Sequence, residues 1–312
     1  MVSILMAVYN GEPYLEEQLQ SLERQTMSEW RLFVRDDGSS DGTIKILQEF
    51  KKRVSQEVII LENTKEPHGA KYNFLALLRE ASDSYIMFCD QDDIWKVDKV
   101  EKTLHKMQEA EKQYGKIPLL VHTDLEVVDA KGVTISKSFF DSSNLQRELT
   151  LQQLLIQNHV TGCTTMINDI LSERIGKLSP SCKEACIMHD YWLALYAQLF
   201  GQIVFLDEAT IRYRQHGNNS VGAKNSKSGK YLFGRLQQGK RSYRENMKLS
   251  FSQIEAFANC YKEQCQALPE YELLQGYANL RNKNTWSRRH FYVKHKIWKQ
   301  GSIRKIMQMI WG

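Results

Sequence analysis

Four short apolar runs, each closed by a polar turn and followed by an amphipathic stretch, constrain this chain more than any other feature. Val2-Ser3-Ile4-Leu5-Met6-Ala7-Val8 reads as a buried strand ended by Tyr9-Asn10-Gly11. From Glu12 onward, Leu15, Leu19 and Leu22 share one helical face. Trp30 to Arg35 reads as a second strand, left through the turn Asp36-Asp37-Gly38-Ser39-Ser40-Asp41-Gly42-Thr43 into a helix over Ile44 to Lys52. Glu57 to Leu61 is a third strand, Gly69 to Ala81 a third helix, and Tyr85 to Cys89 a fourth strand. Strands alternating with helices predict βαβ units, a parallel sheet and an α/β fold. Such crossovers are right-handed, so the strand ends gather along one edge.

Three polar turns therefore meet at that edge, and ligands of open α/β sheets bind there. The fourth strand leaves the sheet as Cys89-Asp90-Gln91-Asp92-Asp93-Ile94-Trp95. Carboxylates this close repel one another, and a divalent cation among them is the simplest relief; a solvated acidic turn is the alternative. Neither G-x-G-x-x-G nor G-x-x-x-x-G-K-[ST] occurs, which disfavours dinucleotide and P-loop chemistry. A carboxylate-rich edge with a metal still suits a nucleotide diphosphate, the cation bridging acid to phosphate.

Beyond this lie a charged helix over Val97 to Tyr114, a strand over Leu119 to His122 with Asp124 after it, and a hairpin turn at Gly132. A short helix over Leu149 to Gln157 precedes a strand from Val160 to Ile167 that passes through Gly162 and Cys163. Ile187-Met188-His189-Asp190-Tyr191-Trp192 opens a helix reaching Phe200, with Asp190 where an N-cap would stand. A last strand over Ile203 to Leu206 leads to a polar loop, Tyr213-Arg214-Gln215-His216-Gly217-Asn218-Asn219. There an Arg-x-His pair either lies on the surface or reaches a phosphate or a metal.

The 312 residues suit one large α/β domain, 1–221, and a basic helical region, 222–312. The net charge of +5 is uneven: residues 222–312 carry 18 Lys+Arg against 5 Asp+Glu, leaving 24 against 32 for the rest. Gly222 to Lys230 reads as a linker or lid, Tyr243 to Ala267 as a helix, and Ser287 to Lys299 and Ile303 to Trp311 as short helices. Trp298, Ile303, Ile306, Met307, Ile310 and Trp311 interleave with Lys294, Lys296, Lys299, Arg304 and Lys305, which suits an anionic membrane surface. A bundle packed on the catalytic domain with a solvated basic face is the alternative. No nucleic-acid motif accompanies the charge. The six cysteines show no zinc spacing, so a reduced, cytosolic protein is expected. The apolar start is too short for a signal peptide, and no run reaches the roughly 18 apolar residues of a bilayer span.

Ala7-Val8-Tyr9-Asn10-Gly11, Asp36 to Thr43 and Asp90-Gln91-Asp92-Asp93, in this order and spacing, resemble family 2, GT-A-fold, inverting glycosyltransferases over roughly residues 1–220. Cys89 to Trp95, His189 to Trp192 and Tyr213 to Asn219 resemble the narrower set of bacterial rhamnosyltransferases that build cell-wall and capsular rhamnan from dTDP-rhamnose. The resemblance implies a GT-A nucleotide-diphospho-sugar transferase fold, a Rossmann-like, mostly parallel sheet flanked by helices, with a C-terminal helical extension. It implies that Tyr9 and Asp37, with Asp36, hold base and ribose, and that Ala7, Asn10 and Gln91 line the same nucleotide-sugar site. Asp90 and Asp92 would form the D-x-D pair, with Asp92 the direct ligand of Mg2+ or Mn2+. Asp93 either joins that acidic cluster or only caps a helix that Ile94 and Trp95 begin. Asp190 would be the base, and His216 would approach the metal or diphosphate with Arg212 or Arg214 assisting.

The Q-x-x-R-W motif of the processive synthases is absent, which points to transfer of one or a few sugars. The partners implied are dTDP-rhamnose or another nucleotide sugar and a lipid-linked saccharide acceptor, handled at the inner face of the cell membrane by a cytoplasmic, peripheral enzyme, with homo-oligomers allowed. A binding-only subunit of a polysaccharide complex is the contrasting class. Such a descendant would be free to lose Asp190.

Overall fold

The structure, a computed structural model, describes residues 1–62, 67–216 and 229–312, with side chains in the last segment at 241 and from 243 on. Its strands are β1 Val2–Val8, β2 Trp30–Asp36, β3 Val58–Leu61, β4 Tyr85–Asp90, β5 Ile94–Trp95, β6 Leu119–Asp129, β7 Thr134–Ser136, β8 Thr165–Asn168 and β9 Gln202–Gln215. They form one sheet in the order β3-β2-β1-β4-β8-β6-β9-β5, with β7 added on β6.

The half read from the alternation, β3-β2-β1-β4, is parallel throughout. β8 then runs antiparallel to both β4 and β6, and β5 antiparallel to β9, while β6 and β9 run parallel, so the sheet is mixed but mostly parallel, as expected. β1 is central, and its alternating side chains are buried on both faces. Leu15, Leu19 and Leu22 of the helix Leu15–Glu23, and Leu47 and Phe50 of Thr43–Arg53, are fully buried against it. Each such side chain contributes about 1.5–3 kcal/mol of transfer free energy. The register sets Val8 beside Asp36 and Ala7 beside Asp90, which brings the three polar turns to one edge.

Three expectations change. Ile94 and Trp95 do not begin a helix: they pair with Arg212 and Ile211 of β9, and the helix starts at Lys99. β9 does not stop at Leu206 but runs fourteen residues to Gln215, so Arg212 and Arg214 sit in a strand rather than a loop. The strand expected from Val160 is a 3-10 turn, Gly162–Thr164, leading into β8.

The chain divides into two compact units. The first holds Met1–Phe139, Val160–Leu178 and Met188–Ala223; the second holds Phe140–His159, Ser179–Ile187 and Lys224–Gly312. Two segments from the first 221 residues thus fold with the basic region, and no single cut at 221/222 separates the units. The second unit is helical, with Gly229–Cys260, Tyr271–Ala278, Thr285–His295 and Ser302–Trp311 around a core that includes Phe251, Phe257, Tyr277 and Tyr292. Leu151–Ile156 joins it, opened by a capping box between Thr150 and Gln153.

Cys182 and Cys260, 78 residues apart, form a disulfide within this unit, with Cα atoms 6.6 Å apart. This overturns the expectation of unpaired cysteines. The expected linker lies, up to residue 228, outside the described residues, as do Gly217, Asn218 and Asn219. No helix among the described residues is long and apolar enough to cross a membrane.

Candidate active site

The three turns are stitched together by their own polar groups. The Tyr9 N–H donates to Gln91 Oε1 (2.8 Å), and Gln91 Nε2 donates back to the Tyr9 carbonyl (2.9 Å). Gln91 thus clamps the end of β1 to the end of β4. Asn10 adopts the left-handed conformation (φ 46°), which asparagine tolerates. Its N–H donates to Ser39 Oγ, and its Oδ1 accepts from the Ser40 N–H. Asp36 accepts from the N–H groups of Gly38 and Ser39, closing its own turn. Asp37, its side chain 12% exposed, accepts from the Gly69 N–H (2.8 Å) and faces His68 Nδ1 (3.1 Å). Of the residues expected to bind a nucleotide, then, Asn10, Asp36 and Gln91 shape the edge. Tyr9, more than half exposed, and Asp37 present side chains along it. Ala7 lies in β1 beside Asp90.

The acidic turn is crowded. Asp90 ends β4 half-buried, and its carboxyl is pushed up to about 7 by burial first, then by Asp92 and Asp190, with Cys163 pulling the other way. Asp92 meets His216 Nε2 at 2.7 Å. Tyr14 stacks on that imidazole with ring centroids 4.7 Å apart. Asp93 is fully buried, and burial and its two acidic neighbours hold its carboxyl far above the usual range. Its Oδ1 accepts the Arg214 N–H (3.0 Å), while Oδ2 bonds to no group among the described residues. Asp90, Asp93 and Cys163 offer ligand atoms within 4.8 Å of one another.

These residues fit a divalent cation: converging carboxylates, an orphaned buried oxygen and an imidazole on one acid make a donor set suited to Mg2+ or Mn2+. Cys163 suits that role less, because a thiolate is a soft ligand whereas Mg2+ and Mn2+ take oxygen donors.

Arg214 takes a different part from the one expected. It is 3% exposed. Nε donates to the Asp92 carbonyl (2.9 Å), Nη1 to the Ala130 carbonyl (3.0 Å) and Nη2 to Glu17, and the guanidinium lies 5.0 Å from the Tyr14 ring. It braces the acidic turn from beneath. Arg212 donates to the Gly132 carbonyl.

Asp190 is the second residue of the helix His189–Phe200 and does not cap it. Its Oδ2 accepts the Gly162 N–H at 3.0 Å, and its charge reaches Asp90. The neighbouring His189 is buried between Phe74 and Phe88, and burial lowers its imidazole to about 3. A Cβ on Gly162 would stand 2.9 Å from His189 Nε2 and 3.5 Å from Asp190 Oδ2, so only glycine admits this approach. Sequence reasoning missed Tyr14, Glu17 and Gly162 as parts of the site. A glycine inside a strand pattern, as at Gly162, was the one available signal of close approach.

The profile of the family described as "Glycosyl transferase family 2" matches residues 3–169. The dTDP-rhamnosyl transferase RfbG of Shigella flexneri is 30% identical over 237 residues, 72% of this chain and 76% of that one. TuaG of Bacillus subtilis (strain 168), named for teichuronic acid biosynthesis, is 28% identical over 232 residues, 74% and 84% of the two chains. Among solved structures, Staphylococcus aureus TarS in complex with UDP superposes with a TM-score of 0.56 at 19% identity, covering 95% of this chain and 75% of that one. The mannosyltransferase PcManGT of Pyrobaculum calidifontis, in complex with GDP-Man and Mn2+, superposes at 0.55 and 15% identity, covering 99% and 82%.

Proposed function

The chain belongs to glycosyl transferase family 2 and has the GT-A fold, and from that premise we propose that it transfers L-rhamnose from dTDP-rhamnose, with inversion, to a hydroxyl of a lipid-linked cell-wall or capsular saccharide. The observation that carries this reading is one edge bearing a crowded acidic turn, an imidazole on Asp92, and a separate carboxylate, Asp190, fixed by a backbone N–H. The likeness to the dTDP-rhamnosyl transferase supports rhamnose as the sugar. The relatives solved with UDP and with GDP-Man keep another nucleotide sugar as the second reading.

Tyr9 and Asp37 receive base and ribose, on a rim that Gln91 and Asn10 hold in shape. Asp90, Asp92 and His216 would hold Mg2+ or Mn2+, which when bound would supply positive charge to stabilise a departing diphosphate. Asp190 accepts the proton of the acceptor hydroxyl as that oxygen attacks the anomeric carbon from the face opposite the leaving group. One attack of this kind inverts the centre, so a β-linked donor yields an α-rhamnoside. The Gly162 N–H keeps the Asp190 carboxylate aimed.

A donor screen tests the reading: release of nucleoside diphosphate is measured for dTDP-, UDP- and GDP-sugars, with and without divalent cation and a saccharide acceptor. Acceptor-dependent release greatest with dTDP-rhamnose is expected. Greater release from another donor sinks the rhamnose assignment, and no acceptor-dependent release from any donor sinks transfer itself. Asp92→Ala is expected to abolish the stimulation by cation.

A further inference from the structure

The last helices of the second unit present an uncovered surface in which aliphatic and cationic side chains alternate. On Thr285–His295, Trp286 and Val293 stand seven residues apart on one face and are 80% and 61% exposed. On Ser302–Trp311, Ile306, Met309 and Ile310 follow at helical spacing and are each more than half exposed. Arg289 Nη2 donates to the Ile310 carbonyl at 2.8 Å, which joins the two helices at that point. Five large apolar side chains within 25 residues therefore face outward, where single scattered ones would be ordinary.

The charge of the segment that carries them has one sign. Residues 273–312 hold nine Lys and Arg and no Asp or Glu. A hollow of about 410 Å³ beside the first helix is lined by Lys283, His290, Phe291, Lys294 and His295, with Glu272 its acidic member.

We propose that this face docks on an anionic phospholipid surface, with Ile306, Met309, Ile310, Val293 and Trp286 entering the headgroup boundary and the flanking cations pairing with lipid phosphates. Exposed apolar side chains in a segment whose charged residues are all cations complement such a surface on both counts. A nucleic-acid strand would use the cations but leave three aliphatic side chains in water. The proposal extends the reading above, because a lipid-linked acceptor presents its hydroxyl at a bilayer. Docking does not depend on which sugar moves or whether any does, so either can fail alone.

The test is co-sedimentation of the full chain with phosphatidylcholine vesicles, with and without phosphatidylglycerol. Binding is expected with the anionic lipid and not without it. Lys283→Gln/Lys294→Gln/Lys305→Gln is expected to weaken it on the order of 100-fold, from about 1 kcal/mol per cation near the surface. Ile306→Ser/Met309→Ser/Ile310→Ser is expected to reduce it to the level on neutral vesicles. All six positions are on the surface, so both variants should melt like the parent, and nucleoside diphosphate release without vesicles should be unchanged. Trp286 emission should shift to the blue on binding and lose that shift in Trp286→Phe. The proposal is overturned by absent binding to anionic vesicles, by equal binding to neutral ones, or by variants that bind like the parent. A dimer that the serine variant dissociates, without vesicle binding, would overturn it in favour of a second copy as the occupant.

Discussion

Replacing Asp190 with asparagine separates the proton-accepting role of this residue from its structural one. In the folded protein Asp190 Oδ2 accepts the Gly162 N–H at 3.0 Å, a bond that an amide oxygen can also accept. The helix His189–Phe200 keeps its start, because the side chain does not cap it. What is lost is a group able to take a proton, worth roughly 10²–10⁴ in rate, or about 3–5 kcal/mol of barrier. The donor site should lose nothing: the charge of Asp190 raises the Asp90 carboxyl, so the amide relieves repulsion at the acidic turn. Asp190→Asn should therefore lower kcat by at least 100-fold while leaving the donor KM equal or slightly lower and the melting temperature unchanged. Initial rates of nucleoside diphosphate release, with calorimetric donor binding and a thermal melt, check all three. A kcat within tenfold of the parent would refute Asp190 as the base. An intact kcat with a KM raised tenfold would recast it as a substrate contact.

Gly162→Ala places a methyl 2.9 Å from His189 Nε2, and His189 cannot retreat between Phe74 and Phe88. It should cost about 1–3 kcal/mol in stability and about 100-fold in kcat through displacement of Asp190, read by a denaturant midpoint and initial rates; parent-like turnover would contradict the coupling. Arg214→Met should lower stability by about 3 kcal/mol, because it leaves the Asp92 and Ala130 carbonyls and Glu17 unanswered; a melting temperature equal to the parent's would contradict the brace. His189, lowered to about 3 by burial, binds its proton in the unfolded chain but not in the folded one as pH falls from about 6.5 towards 3. Stability is lost across that window by about 1.4 kcal/mol per pH unit, and His189→Leu should flatten the slope by that amount; parallel curves of urea midpoint against pH would refute it.

The parallel half of the sheet was legible because β1 and β4 are buried on both faces and read as nearly unbroken apolar runs, and β2 keeps Trp30, Leu32, Phe33 and Val34 between its two arginines and the ends. β9 was not, because Asp207, Glu208, Arg212 and Arg214 break its pattern. Arg214 looks like a solvent residue until its backbone-carbonyl partners, distant in sequence, are known. Asp93 fails similarly. Its place before Ile94 and Trp95 suggests a cap, yet those two residues pair with β9 and draw the carboxyl into the interior. The Cys182–Cys260 bond joins residues 78 apart and leaves no local trace.

Arg214 also bears on how the acidic turn is held. A buried guanidinium next to three carboxylates would ordinarily neutralise one of them. Among the described residues its donors go elsewhere: to the Asp92 and Ala130 carbonyls and to Glu17, while Asp93 receives the backbone N–H. The turn is therefore braced through its backbone. Lys99, the buried ammonium on that side, is lowered to about 8 by burial and donates to Thr210 Oγ1. His216 on Asp92 and the neutral thiol of Cys163 are the protein's remaining answers to the charge. Burial first, and then repulsion between neighbouring carboxylates, raises Asp90 and Asp93 together, and a divalent cation at the edge would relieve that repulsion. A rigid backbone is what an electrostatic site needs, since its groups then undergo no rearrangement as a leaving group develops negative charge.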